Sequence, residues 1–151
     1  AAELAAAFEI ARRLSLADLR DRPVLKTPEA VADLLAPLAA SLAHEELWCL
    51  PLDSQSRLIG RPRVVSKGDV DGTDAGPRAF FRIAIAAGAT TCIAVHNHPG
   101  GDPTPSAADR SATTRLAAAG RTVDVPLVDH VVMGTGGRFT SLRRSAPDCF
   151  R

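Results

Sequence analysis

Two of the chain's four histidines, His96 and His98, stand one residue apart in the stretch HNHPGGDPTPSAAD, which runs from His96 to Asp109. The residues ahead of them, TTCIAV, are β-branched at Thr90, Thr91, Ile93 and Val95 and read as a buried strand. Alternate residues of a strand share a face, so both imidazoles leave its end pointing the same way and can chelate one ion. Beyond them, Thr104 is expected to cap a helix that Pro105 begins. Ser106 and Asp109 then share one face of the first turn, and Asp109 can reach back as a third ligand. Two histidines, one carboxylate and an open fourth position describe a catalytic zinc site, where bound water ionises near about pH 7. A closed structural site needs another protein ligand, and no cysteine stands nearby to provide it. A lone histidine in a loop is usually a surface residue, and a lone Ser106 is usually a helix-start residue. The coincidence of three ligand types at this spacing is what argues for a metal.

The elements that must position these groups follow from pattern and punctuation. AAELAAAFEIARRL, with Leu4 and Phe8 on one face, reads as a helix, and SLADLRDRPVLK reads as a linker. TPEAVADLLAPLAASLAHEE is a second helix with Thr27 as N-cap and Pro28 at its first position, and Pro37 is expected to kink or divide it. LWCLPLD is a short apolar strand with RLIGRPRVV as its hairpin partner, and Pro51 argues for a bulge or an edge. Gly68, Gly72 and Gly76 mark a loop, and Pro77 opens a helix over PRAFFRIAIAAG that Gly88 ends. A helix over about 105–119 follows the histidine loop, with Gly120 as its stop. VPLVDHVVMG is a strand that TGG turns into RFTSL. This order predicts an α/β domain: a curved mixed sheet flanked by helices, preceded by a helical remnant. The chain lacks the regular alternation of a doubly wound fold.

Composition narrows the setting. The 151 residues suit one domain, and 46% hydrophobic with 23% charged residues is an ordinary globular balance. No apolar run approaches the roughly 20 residues needed to span a bilayer, so no membrane association is expected. Cys49, Cys92 and Cys149 are scattered, and without a CxxC pair they support neither a thiolate zinc knuckle nor a disulfide scaffold. Cys49 and Cys92 lie in apolar strands as core residues, and a cytoplasmic location is expected. The chain starts at Ala1 without methionine and reads as a piece of something longer.

His96-x-His98, seven residues, Ser106, two residues, Asp109 resembles the signature of JAMM metalloproteases, the zinc-dependent JAB or MPN domain. PRAFFRIAI, HNHPGGDPTPS and DHVVMG are similar to the bacterial RadC-like branch, and FEIARRL resembles the end of the helix-hairpin-helix region ahead of that domain. The resemblance implies residues 1–20 as that region's end and a linker, and 21–151 as a JAB/MPN domain of the cytidine-deaminase-like fold. It implies Zn²⁺ on His96, His98 and Asp109, with hydrolysis of a peptide or isopeptide bond in an unidentified peptide or protein-conjugate substrate. A glutamate hydrogen-bonded to the metal's water serves the family as general base. In RadC-like chains it starts the first apolar strand, eight residues before its terminal aspartate, which from Asp53 gives Glu45. Glu46 competes, and because the two point to opposite faces of a strand only one can serve. Ser106 takes the family's role of hydrogen-bonding the oxyanion. The family's glutamate and serine are replaced here by Ala79 and Gly100. Neither is a ligand, so metal binding survives the change while substrate positioning is put in doubt.

His130, beside Asp129 in an apolar strand, could be a fourth ligand but reads better as a buried histidine held by local hydrogen bonds. The formal net charge of +1 gives little support to a nucleic-acid module, so any DNA association is expected to be weak and lost with salt. The tripeptide HNH is no evidence for an HNH nuclease, whose histidines are distant in sequence. A zinc deaminase needs HxE and PCxxC, which are absent. A metal-binding scaffold without activity is the remaining alternative.

Overall fold

The computed structural model of the chain describes residues 21–68 and 76–151 and, of the first twenty, Ala6 alone. The expected helix over the first fourteen residues and most of the glycine loop lie outside the described residues. The elements in order are α1 (Pro28–Ala39), β1 (Glu46–Leu52), β2 (Arg63–Lys67), α2 (Pro77–Ala86), β3 (Thr91–Asn97), α3 (Ala107–Thr122), β4 (Leu127–Met133), β5 (Phe139–Ser141) and α4 (Leu142–Ser145). A 3₁₀ turn over Pro147–Phe150 follows.

The strands form one five-stranded sheet in the order β2-β1-β3-β4-β5. All neighbours are antiparallel except β3 and β4, which are parallel and joined by the crossover helix α3. This is the mixed sheet flanked by helices that the sequence predicts. Central β3 is covered on both faces, which explains its nearly unbroken apolar run. Trp48, Leu50, Ile93, Val95, Val131 and Met133 face α1, where Val31, Ala32 and Leu35 close the first core. Leu47, Cys49, Cys92, Ala94 and Val132 face the opposite way, onto Phe80, Phe81 and Ala84 of α2 and Leu116 and Ala117 of α3. Burial pushes the Cys49 thiol up to about 12 and Cys92 further still, as inert core thiols should behave. No helix among the described residues is long and apolar enough to cross a membrane.

Several local expectations are corrected. Helix α1 begins as predicted, with Ala30 N–H donating to the Thr27 hydroxyl, but it stops at Ala39. Pro37 does not divide it: standing near the C-terminal end it removes one helical bond, and Ala40 N–H still reaches Ala36 O at 3.0 Å. Pro51 lies in a central strand and keeps register with Cys92. Its carbonyl accepts from Ile59 N–H, so its missing N–H faces the side where the β2 ladder has already ended at Cys49–Arg63. Gly120 does not stop α3, which runs through it to Thr122. A Cβ there would stand 2.8 Å from Val125 O and 3.0 Å from Phe81 Cζ, so glycine is required by close packing against the β4 entry.

Candidate metal centre

The parallel β3–α3–β4 unit places its connecting loop at the carboxyl end of β3, the usual position for a ligand site in such units. His96 shares a sheet face with Leu47, its cross-strand partner, and with Ala94. His98 continues that face just past the strand end. The loop between them and α3 is pinned to the β4–β5 turn. Arg138 donates to Gly101 O at 2.7 Å, and Thr135 N–H donates to the same carbonyl at 3.2 Å. Gly134 is obligatory here, since a Cβ would meet Gly101 O at 2.5 Å.

Thr104 does not cap α3, contrary to expectation. Its N–H and hydroxyl both donate to Asp102 Oδ1, and Ser106 is the N-cap instead. The Ser106 hydroxyl accepts from Asp109 N–H at 3.1 Å, while its own N–H and hydroxyl donate to Asp109 Oδ2 at 2.7 and 2.8 Å. This reciprocal capping box fixes one oxygen of the carboxylate and leaves Oδ1 turned toward His96. Burial pushes the Asp109 carboxyl upward, but the hydrogen bond and charge of His96 and the Ser106 donors outweigh it and hold it well below the usual range.

His96 Nε2 and His98 Nε2 stand 2.9 Å apart, with Asp109 Oδ1 at 3.2 Å from the former and Oδ2 at 3.5 Å from the latter. Ligand atoms at about 2.0–2.1 Å from a tetrahedral zinc stand roughly 3.3 Å apart, so these spacings suit that ion. The hydrogen-bond network supplies a chemical test of the fit. His98 Nδ1 faces the carbonyl of Asp102 at 2.8 Å, which can only accept, so Nδ1 carries a proton and Nε2 is left facing the site. The Thr113 hydroxyl spends its proton on Asp109 O at 2.6 Å and therefore accepts from His130 Nδ1 at 2.7 Å. Burial holds His130 neutral, well below the ordinary histidine value, helped by His96. Its Nε2 is then bare and accepts from His96 Nδ1 at 2.8 Å. His96 Nε2 is left facing His98 Nε2 and Asp109 Oδ1. Two ring nitrogens and a carboxylate thus converge in a largely buried pocket, a donor set that could hold a metal ion.

A scan against family models matches residues 25–146 to the RadC-like JAB domain. The chain belongs to the RadC-like JAB domain family. A UPF0758 protein of Listeria monocytogenes is 36% identical over 143 residues, 95% of this chain and 63% of that protein. Similar proteins from Desulforudis audaxviator and Symbiobacterium thermophilum are 37% and 41% identical, over 94% and 91% of this chain and 61% and 58% of theirs. The chain spans about three fifths of the length of these curated relatives.

Within this RadC-like JAB domain the structure brings His96, His98 and Asp109 together as a group that could hold a metal ion. Glu46, in contrast, points to the α1 face, where its carboxylate meets His44 Nε2 at 3.0 Å and Lys67 Nζ at 3.3 Å. Half-buried Glu45 immediately precedes β1 and, by alternation, falls on the face of Leu47 and His96. A side chain at Gly100 would meet nothing within 4 Å, so the family's serine is replaced without a packing consequence. Ala79 is half-buried on α2.

Sequence reasoning missed two partners of the site. Asn97, between the two histidines, points to the opposite face: its Oδ1 accepts from Glu46 N–H at 2.8 Å and its Nδ2 donates to His44 O at 2.9 Å. One side chain thereby fastens both neighbours of Glu45. Thr113 was the other, although its place one turn after Asp109 was visible in the spacing. His130 is buried and hydrogen-bonded as expected, but its partner is the ring of His96, 34 residues away.

Proposed function

We propose that the domain is a JAMM-type zinc hydrolase that cleaves a peptide or isopeptide bond. The observation that carries this reading is the convergence of His96 Nε2 and His98 Nε2, 2.9 Å apart, beside Asp109 Oδ1. His96, His98 and Asp109 would hold the ion, and no fourth protein ligand joins them among the described residues. When bound, zinc supplies Lewis-acid polarisation of water and of a substrate carbonyl.

Glu45 is the proton carrier. Its carboxylate takes the proton of the attacking water and delivers it to the leaving amine, so one group serves as base and then as acid. Asn97 limits its movement by fastening the backbone on either side. Ser106 stabilises the oxyanion by rotating its hydroxyl proton from Asp109 to the substrate oxygen. That rotation is affordable because Asp109 Oδ2 keeps the Ser106 N–H at 2.7 Å.

The test uses zinc-loaded protein against a panel of peptides and isopeptide-linked conjugates. Glu45→Gln should retain zinc and lose turnover, since the amide keeps the size but cannot accept the proton. Ser106→Ala should slow turnover by roughly 100- to 1000-fold, the effect of removing one oxyanion donor. Undiminished hydrolysis in Glu45→Gln overturns the proton-carrier role. No hydrolysis across the panel favours a metal-binding scaffold.

A further inference from the structure

We propose that His130 and Thr113 are positioning residues that lock the ring of His96 for metal binding and tie it to the helix bearing Asp109. The inference rests on the proposed metal centre and goes beyond its three ligands. His96 Nδ1–H donates to His130 Nε2, His130 Nδ1–H donates to Thr113 Oγ1, and the Thr113 hydroxyl donates to Asp109 O, at 2.8, 2.7 and 2.6 Å. These bonds close a loop from one ligand, through β4 and α3, back to another ligand. None of the three side chains has measurable solvent exposure.

The contrast with His98 shows what the loop adds. His98 Nδ1–H is satisfied by a single backbone carbonyl, that of Asp102, in a loop. A carbonyl would also have fixed the tautomer of His96. A buried histidine in that place brings a second ring nitrogen that itself needs a partner, which is costly unless supplied. Thr113 supplies it, and its hydroxyl can accept from His130 because its own proton is committed to Asp109 O. The direction of every bond is thus set by the one carbonyl at the end of the chain. Ring orientation of His96, register of α3 and placement of Asp109 become one mechanical unit. Metal-ligating histidines commonly depend on such outer partners, and losing one weakens metal binding by about 10- to 100-fold.

The experiment measures zinc affinity by competition with a chelating dye, for wild type, Thr113→Val, His130→Leu and His130→Gln. Thr113→Val keeps shape and removes the hydroxyl. His130→Leu removes the acceptor, and His130→Gln restores an acceptor oxygen near the position of Nε2. Thr113→Val and His130→Leu should weaken zinc by about 10- to 100-fold, with His130→Gln recovering most of the loss. In the zinc-loaded proteins, NMR should show a slowly exchanging Nδ1 proton on His96 that His130→Leu abolishes, while that of His98 persists. Amide spectra identify any variant that fails to fold, and the isosteric Thr113→Val then decides alone. Wild-type protein that binds zinc, with Thr113→Val and His130→Leu binding within twofold of it, overturns the inference and leaves His130 as core filling. Wild-type protein that takes up no zinc overturns the metal centre itself, and this inference with it.

Discussion

Removing the Ser106 hydroxyl should destabilise the metal-free protein, before any chemistry is measured. The hydroxyl makes two bonds, accepting from Asp109 N–H at 3.1 Å and donating to Asp109 Oδ2 at 2.8 Å. Loss of an N-cap side chain costs about 1 kcal/mol, within a range of roughly 0.5–2. A hydrogen bond to a charged group is worth about 1.5–3 kcal/mol, and the lower end applies because Ser106 N–H still serves the same oxygen. The two bonds share one hydroxyl and do not add fully, so Ser106→Ala should lose about 2 kcal/mol. A domain of this size shifts its Tm by roughly 2–4 °C per kcal/mol, giving a fall of about 4–8 °C. Thermal unfolding with a chelator present measures it without contribution from the ion. A Tm within 1 °C or so of wild type would refute the reasoning, because the capping box could not then be what holds Asp109 in place.

Gly120→Ala sets a helix-propensity gain of about 1 kcal/mol against overpacking of about 1–3 kcal/mol. The new Cβ would face the backbone atoms Val125 O and Leu127 N, which cannot rotate away, so urea unfolding should show a net loss. Asn97→Ala should leave zinc affinity unchanged while freeing the segment around Glu45, which hydrogen exchange at Glu46 should register as faster exchange. If a substrate is found, the same variant should slow turnover by up to about 10²-fold. Asp129 accepts from Ser141 Oγ and from the N–H groups of His130 and Arg143, and burial raises its carboxyl above the ordinary value. The folded state therefore holds this proton more tightly than the unfolded chain, and that contribution is lost as pH rises through the folded value. Wild-type stability minus that of Asp129→Asn should accordingly fall on raising pH from the carboxylate range, and a difference that grows would contradict it.

The residues of the candidate site were legible because their logic is local. Strand alternation aligns His96 with His98, and one helical turn brings Ser106 to Asp109. Element types were legible for the same reason, from the β-branched run at 90–95 to Pro28 and Pro77 at helix starts. The misses share a physical origin in contacts across the fold. Gly120 reads as a helix stop until Val125 O and Phe81 are seen against it. Thr104 reads as a cap until Asp102 claims both its donors and leaves the helix to Ser106. His130 reads as an ordinary core histidine because its partner His96 is 34 residues away and on another strand. Asn97 gives no signal of its own, since its bonds depend on β1 lying antiparallel beside β3.

The most direct test of the account is zinc uptake by metal-free protein, measured by elemental analysis after removal of unbound ion, for wild type and His98→Ala. One zinc per wild-type chain is expected, with loss of stable binding in His98→Ala, which removes a proposed ligand and leaves the folded core intact. Wild-type protein without zinc, or uptake that His98→Ala leaves unchanged, would contradict it.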